Sequence, residues 1–449
     1  MDAADPTIGT AVGSVQAPGE LDIESLELIP GAASALYGPN AFNGIMLLNS
    51  KNPFDYPGLS MMVKQGVTNS KAGGAHPMGT YSIRYAKVIS DKLAFKVNFH
   101  YMGATDWTSN DYKTDRNNPN SPIDLRGTPN FDGVNLHGDE IPIDLTQFGL
   151  GIIRRTGLPE GILLNNQEAR VLKYDAAVHY KLNKKMELIG AYRFAEGSAL
   201  AQTDSKSAYR RYRSQFYKVE LKSDNFFVRS YLTETRAFQT YNVGAVGAYT
   251  NEYFNPSIRA DGTGWVPDYI TAFYGGVPGV AANDATAARA YADRFMIDPA
   301  TGQYVPSLQD TISKVRTNYF QRQPPGARFY SSSKLWHTEL FYRFKQIKWA
   351  EVIAGGNYRL ISVYSKGTFF DDAPDDPNIS NPILTHVYGA YTQISKSILE
   401  KIKLTGSIRY DKMKDFDGHF TPRLSMVYSP GKNHNFRASF QTGFRFPEC

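Results

Sequence analysis

Cysteine is all but absent. The single Cys449 is the last residue, which excludes an intramolecular disulfide framework and any multi-cysteine metal site. Tryptophan is scarce, at four residues. No apolar run approaches the roughly 18 residues of a membrane-crossing helix, so a helical membrane bundle is excluded. Neither sign of charge forms a block: 49 basic and 43 acidic residues leave a formal +6 over 449 residues, without the basic footprint of a nucleic-acid binder. The motifs HExxH, GxSxG, CxxC and GxGxxG do not occur. The histidines (His76, His100, His137, His179, His337, His386, His419 and His434) show no metal-ligand spacing. No catalytic residue, metal or cofactor is therefore assigned. The start, Met1 to Pro6, has neither the basic beginning nor the apolar core of a secretory signal. Alone that favours the cytosol, but the rest of the chain argues otherwise, and the start reads as a processed, truncated or engineered end.

What the sequence has in quantity is aromatics and turn formers: 29 Tyr, 26 Phe, 38 Gly and 25 Pro. It also has alternation with a period of two. Leu172, Tyr174, Ala176, Val178, Tyr180 and Leu182 fall on one face of a strand, with Lys173, Asp175, Ala177, His179 and Lys181 on the other. Ile402, Leu404, Gly406, Ile408 and Tyr410 oppose Lys403, Thr405, Ser407, Arg409 and Asp411 in the same way. So do Leu93, Phe95, Val97, Phe99 and Tyr101 against Lys96, Asn98 and His100. Roughly thirteen such segments are expected, near 58–68, 79–90, 92–102, 169–182, 185–196, 208–222, 225–240, 335–345, 348–370, 384–398, 401–413, 419–430 and 434–446. They exceed the usual strand length of about 5–6 residues.

Tight connections, such as Ser90-Asp91, Asn183-Lys184, Ser223-Asp224, Leu399-Glu400 and Pro430 to Asn433, alternate with long ones, notably 103–168 and 241–334. Loops of that length are foreign to a compact soluble domain. Short turns at one end, long loops at the other and strands with one oily and one wet face fit a transmembrane antiparallel β-barrel, whose polar face lines the interior. A soluble sandwich would alternate equally well, with the oily face as its core; strand length and loop asymmetry favour the barrel. Within the second long loop, 284–295 has helical composition.

Residues 21–52 carry Gly31, Ser34, Leu36, Tyr37, Gly38, Ala41, Gly44, Ile45 and Lys51 in an ordered series. The glycines, with Asn40 and Asn43, suit tight turns and positive φ. This stretch resembles the closing part of the plug domain of TonB-dependent outer-membrane receptors. The wording GPNAFNG followed by SKNPFDYPG is similar to the Bacteroidetes-type variant. Pro30 stands where that pattern usually has Arg, and Ala32 where it usually has Pro. Residues 420–447 resemble a mid-barrel hairpin of the same receptors, with a Pro-Arg-Leu strand, a polar turn, an Arg-Ala-Ser strand and a Gly-Phe-Arg-x-Pro ending.

The resemblance implies the C-terminal part of a plug over 1–54 and the N-terminal portion of the barrel over 55–449. About thirteen strands would be part of a plugged barrel of about 22, so the chain is expected to be a fragment of a larger receptor. It also implies an outer membrane of a Gram-negative bacterium, outer-membrane lipid as neighbour, and a TonB complex engaged through a segment upstream of this chain. The ligand would be a siderophore, haem, cobalamin, glycan or peptide, met by the plug and the two long loops. A non-transporting adhesin or a structural subunit of an envelope complex is the alternative.

Candidate ligand contacts are few. Arg210, Arg211 and Arg213, within the run from Tyr209, could grip an anionic siderophore or a lipopolysaccharide phosphate through planar guanidinium forks. Solvated cations at a membrane rim would look the same. Trp265 and Tyr269, with Tyr253, Phe254, Phe273 and Tyr274, could stack on a sugar or siderophore ring, or simply pack the loop. The acidic run Asp371 to Pro377 could hold Ca²⁺, although a solvated loop tip explains it.

Overall fold

The computed structural model describes Val15 and residues 17–30, 34–39, 41, 44–202, 206–373, 381–399, 401–431 and 434–446. Two strands, β1 (Ile23–Pro30) and β2 (Gly44–Ser50), form an antiparallel ribbon that runs from Ile23 opposite Ser50 to Pro30 opposite Gly44. A single helical turn, Ser34–Tyr37, lies between them. Of the turn and motif residues expected here, Gly31, Ala32, Asn40 and Asn43 lie outside the described residues.

The remainder is dominated by one sheet of thirteen strands. These are β3 (Gly58–Ser70), β4 (Gly74–Ser90), β5 (Leu93–Thr105), β6 (Glu168–Asn183), β7 (Met186–Gln202), β8 (Lys206–Ser223), β9 (Phe226–Asn242), β10 (Arg328–Arg343), β11 (Glu351–Tyr364), β12 (Ile383–Ile398), β13 (Ile402–Met413), β14 (His419–Gly431) and β15 (His434–Gln441). Each pairs antiparallel with its sequence neighbours, and the sheet is open, with β3 and β15 at its edges. Every expected strand is present. β11 ends at Tyr364, short of the expected 370, because Lys366 and Gly367 take left-handed conformations. There the Asp372 carboxylate accepts from the Gly367 N–H at 2.6 Å and the Ser365 hydroxyl at 3.1 Å, tying the turn to itself. β10 starts earlier than expected, at Arg328, its polar opening masked in the sequence by three consecutive serines.

The burial pattern decides between barrel and sandwich. On β6 the apolar Tyr174 and Val178 are 46% and 50% exposed, whereas Lys173 and His179 are 3% and 6% exposed. The charged face is the inner one. A soluble sandwich requires the reverse, so the oily face is built to meet something other than water. Outward rings meet at a tilt along the sheet, as in Phe99 to Tyr174 (5.5 Å) and Tyr174 to Phe194 (6.0 Å).

Hairpins at one end are tight because side chains cap their turns. Ser90 Oγ accepts from the Lys92 and Leu93 amides, and Asn183 Oδ1 from that of Lys185. The two long connections, 106–167 and 243–327, leave β5 and β9, strands of the same direction, and so lie together at the opposite end. They fold into one cap. Its longer helices are α1 (Val243–Phe254), α2 (Trp265–Phe273), α3 (Ala285–Ala292) and α4 (Ser307–Thr317), beside a single helical turn at Glu160–Leu163. Only α3 was expected. Asn242 caps α1 by accepting from the Ala245 amide, and Asp284 caps α3 by accepting from those of Thr286 and Ala287.

The cap has two apolar cores, each drawn from both loops. Leu158, Leu163 and Leu164 meet Val243, Val246, Leu308, Ile312 and Val315 in one. Leu145 and Ile153 meet Trp265, Tyr269, Ala272, Ala288 and Ala292 in the other. Where α1 crosses the first loop the backbones nearly touch. A Cβ on Gly247 would fall 2.3 Å from the His137 carbonyl oxygen, and Gly138 holds a φ of +100°. Only glycine at both places permits that crossing.

Candidate functional site

The inner face of the sheet presents cations to the N-terminal segment. Asp22, 3% exposed, accepts from Arg84 Nε at 3.0 Å and Lys96 Nζ at 2.7 Å. The same Lys96 ammonium reaches the Lys51 carbonyl at 2.7 Å, and Arg84 donates to the Tyr56 carbonyl at 2.8 Å. Lys173 of β6 donates to the Ala17 carbonyl at 2.9 Å. Two cations on one buried carboxylate, each with a further N–H on a carbonyl, offset charges that would be costly to bury alone, although Arg84 Nη2 is left without a partner among the described residues.

At the other end of the segment, Arg409 of β13 is chelated by Asp411 at 2.7 Å and faces the Leu36 carbonyl at 3.4 Å. Gly38 takes a φ of +86°, and a Cβ there would sit 3.0 Å from Arg409 Nη2. That contact gives the glycine of Leu36-Tyr37-Gly38 a physical reason: the turn needs a left-handed residue and the guanidinium needs the space. Because β4 and β13 stand far apart in the strand order yet both hold the segment, the sheet must curve around it. Ser34 is buried beside this contact, Ala41 is buried, and Gly44, at a φ of +144°, opens β2. Gly31 lies outside the described residues.

Asp22, Arg84, Lys96 and Arg409 were not singled out from sequence. Their signal was present but faint: Arg84 and Lys96 occupy inward positions of alternating strands, as Arg409 does, but many cations do. Only folding brings Asp22 to them across 62 and 74 residues.

The cap holds a second polar network. Lys206, at the start of β8, is 2% exposed and donates to Glu160 at 2.6 Å and to Ser109 at 2.9 Å. His137 lies between Glu140 at 3.0 Å and Glu160 at 3.7 Å. Burial disfavours the imidazolium, but the two carboxylates outweigh it and hold the His137 pKa above its usual value. Burial pushes the Asp139 carboxyl up to about 7, although the Gly133 amide donates to it. Arg155 ties the loops together, donating to Glu252 at 2.8 Å and to the carbonyls of Asn251 and Asn255. These groups bind chiefly one another and the backbone, so the network organises the cap.

The sequence candidates separate in space. Trp265 and Tyr269 are fully buried, stacked on each other at 5.3 Å, with the Trp265 indole N–H on Asp293 at 2.7 Å and Arg155 over the ring. Offered from sequence either as stacking platforms for a ring or as packing within the loop, they are core residues of the cap, because α2 must cover its apolar side. Tyr253 and Tyr274 remain exposed on the cap. Arg210 is buried and donates to the carbonyls of Asn166 and Glu168, closing a loop. Arg211, left-handed at an irregularity of the β7–β8 register, and Arg213 approach Glu196 instead, so the three arginines do not converge. His100, His179 and His337 line the inner wall, the second against Glu187 at 2.6 Å. Asp372 organises its own turn, and 374–377 lie outside the described residues. Among the described residues no group of His, Cys, Asp and Glu could hold a metal.

The fold is shared with solved siderophore receptors. The siderophore receptor PirA from Pseudomonas aeruginosa matches at a TM-score of 0.52 and 11% identity, covering 98% of this chain and 53% of its own. A mutant ferric enterobactin receptor (PfeA) of the same species, in complex with enterobactin, matches at 0.51 and 11%, covering 95% and 50%. PirA from Acinetobacter baumannii matches at 0.50 and 9%, covering 95% and 48%. The chain thus spans about half the length of the receptors it is similar to. A search of curated protein sequences finds no match. The family model described as TonB dependent receptor-like, beta-barrel, matches residues 80–448. With its thirteen-stranded meander, inverted burial and long loops at one end, the chain belongs to the TonB-dependent receptor β-barrel family.

Proposed function

We propose that this chain is part of a receptor in the outer membrane of a Gram-negative bacterium, one that binds a scarce nutrient and imports it with energy from TonB. The observation that carries the reading is the pairing of an outward apolar face with an inward charged face that holds the N-terminal segment through Asp22 and Arg409. A wall of this kind excludes lipid from a wet interior and leaves a docked segment inside it. Residues 1–54 are read as the closing part of a plug and 55–449 as barrel, with the contact to TonB made by a segment upstream. The cap built from 106–167 and 243–327 stands where a ligand arrives. The similar solved receptors are named for siderophores, which puts a ferric siderophore first among siderophore, haem, cobalamin, glycan and peptide. The role is transport, not catalysis.

The test is uptake by cells carrying the full-length receptor, with and without TonB. Radiolabelled ferric siderophores, haemin and cyanocobalamin, and labelled glycans and peptides, are offered in turn. One of them is expected to accumulate only when TonB is present. Surface adhesion or envelope defects without TonB-dependent accumulation of any of them would replace transport by an adhesive or structural role.

A further inference from the structure

The outward face of β4–β9 carries a feature that transport does not use. Near the cap end, Gly79 of β4 and Gly103 of β5 are register partners, and Arg170 of β6 stands opposite Gly103 in the same row. The missing side chains leave a cavity of about 390 Å³, walled by Tyr81 and Tyr101 and reaching Arg170 and Glu168. The two tyrosines stack at 6.4 Å, and Gln65 donates to the Tyr81 hydroxyl. A Cβ at Gly79 would meet Tyr81 and Gln65 at 3.2–3.3 Å.

Beside the cavity the cations crowd. Arg170, Arg211 and Arg213 approach the carboxylate of Glu196, at 3.8, 3.5 and 2.8 Å, and Arg170 also lies 3.5 Å from Glu168, so with Arg236 four guanidiniums face two carboxylates. Arg213 is the register partner of Arg236 on β9, and neighbours Tyr212, Thr235 and Ala237 are buried, so both guanidiniums face outward. Arg236 has no ion pair among the described residues. Like charges directly opposite one another in a strand pair are destabilising; an anion between them reverses the sign. Below this row, Phe194 and Tyr174 begin the apolar surface.

We infer that this rim is a binding site for a phosphorylated glycolipid of the surrounding leaflet. Its phosphate is held by Arg170, Arg211, Arg213 and Arg236, and its sugar or upper acyl segment fills the cavity floored by Gly79 and Gly103. Guanidinium forks match phosphate oxygens, and a cationic rim directly above an apolar face matches the headgroup level of a bilayer. The inference rests on the proposed membrane setting of the outward face.

The full-length receptor, purified in detergent, is equilibrated with mixed micelles of phosphatidylcholine and lipid A, either bis-phosphorylated or enzymatically dephosphorylated. Retained lipid is counted by native mass spectrometry, and heat-modifiable gel migration reports a folded barrel. The wild type is expected to retain the bis-phosphorylated form selectively. R170Q/R211Q/R213Q should retain it roughly tenfold less or worse while keeping heat-modifiable migration. Gly79→Leu, which fills the cavity without altering charge, should also lower retention. Equal retention by wild type and the triple variant, or no preference for the phosphorylated form, overturns the site while leaving the barrel intact. A wild type that needs no detergent and shows no heat-modifiable form overturns the membrane reading itself.

Discussion

The wall and the cap are made from one chain and bury opposite things. In the wall, Lys173, His179, Arg84 and Lys96 are inside while Tyr174 and Val178 face out. In the cap, Trp265, Tyr269, Leu163 and Ile312 are inside, and its charges are buried only where they knit loops together, as Lys206 and Glu160 do. The difference is the medium each surface faces. Against lipid, apolar groups need no cover and polar ones must be satisfied internally; against water, burial of apolar area drives packing.

The largest effects should come from breaking the interior of each region. Trp265→Ala removes the centre of one cap core and an indole hydrogen bond, and about 3–5 kcal/mol of local cap stability should go with it. Hydrogen exchange would show 243–327 losing protection while the wall strands keep theirs; simultaneous loss in the wall would mean that the two regions are not separate units. Asp22→Ala leaves Arg84 and Lys96 buried together without their carboxylate. The expected cost is about 3–5 kcal/mol, borne by the docking of the N-terminal segment. Limited proteolysis would read this as faster cleavage within 17–50, and an unchanged rate would show that Asp22 does not hold the segment. On the outer face, Val178→Arg should cost about 2–4 kcal/mol near mid-bilayer and less toward the rim, measured by urea titration of refolding into phospholipid vesicles. A neutral result would deny that β6 meets lipid there.

The smallest effect sharpens the cap side and depends on pH. Asp139, raised from 3.8 to about 7, keeps a proton in the folded cap that the unfolded chain has lost. Its contribution therefore falls as pH rises from about 4 to about 7. His137, held above 6.5, acts in the same direction, its share present below that value and lost as pH passes the raised one. Glu140 and Glu160, both lowered from 4.5, contribute above 4.5 and lose their share in acid. Asp139→Asn should flatten the decline between about 4 and 7, by about 1–3 kcal/mol. Exchange rates at the Gly133 amide, corrected for intrinsic pH dependence, would check it; a slope identical to wild type would remove Asp139 from the account.

All thirteen wall strands could be read from alternation, because a wall strand meets one medium on each face and writes both into a period of two. The cap helices were harder. Only 284–295 looked helical, since α1 carries two Gly and two Tyr, α2 carries Pro267, and their apolar sides are completed by residues of the other loop. Trp265 and Tyr269 left two readings open, a ligand platform or loop packing, for the same reason: an aromatic in a long loop has no visible partner until the loop folds. Arg210 and Arg213 stand three apart in one run, yet Arg210 closes on the Asn166 carbonyl and Arg213 on Glu196, partners that lie far off in sequence.

By itself, the sequence determined which segments are strands, how they are joined and which side chains share a face, since these follow from local geometry and from spacing along the chain. Strand length and loop asymmetry already favoured a charged inner face, but only the tertiary structure decided that Asp22 and Arg409 fasten the N-terminal segment at two distant strands and that two loops share one core. Those outcomes depend on contacts between residues far apart in sequence, whose energies exist only once the chain has closed upon itself.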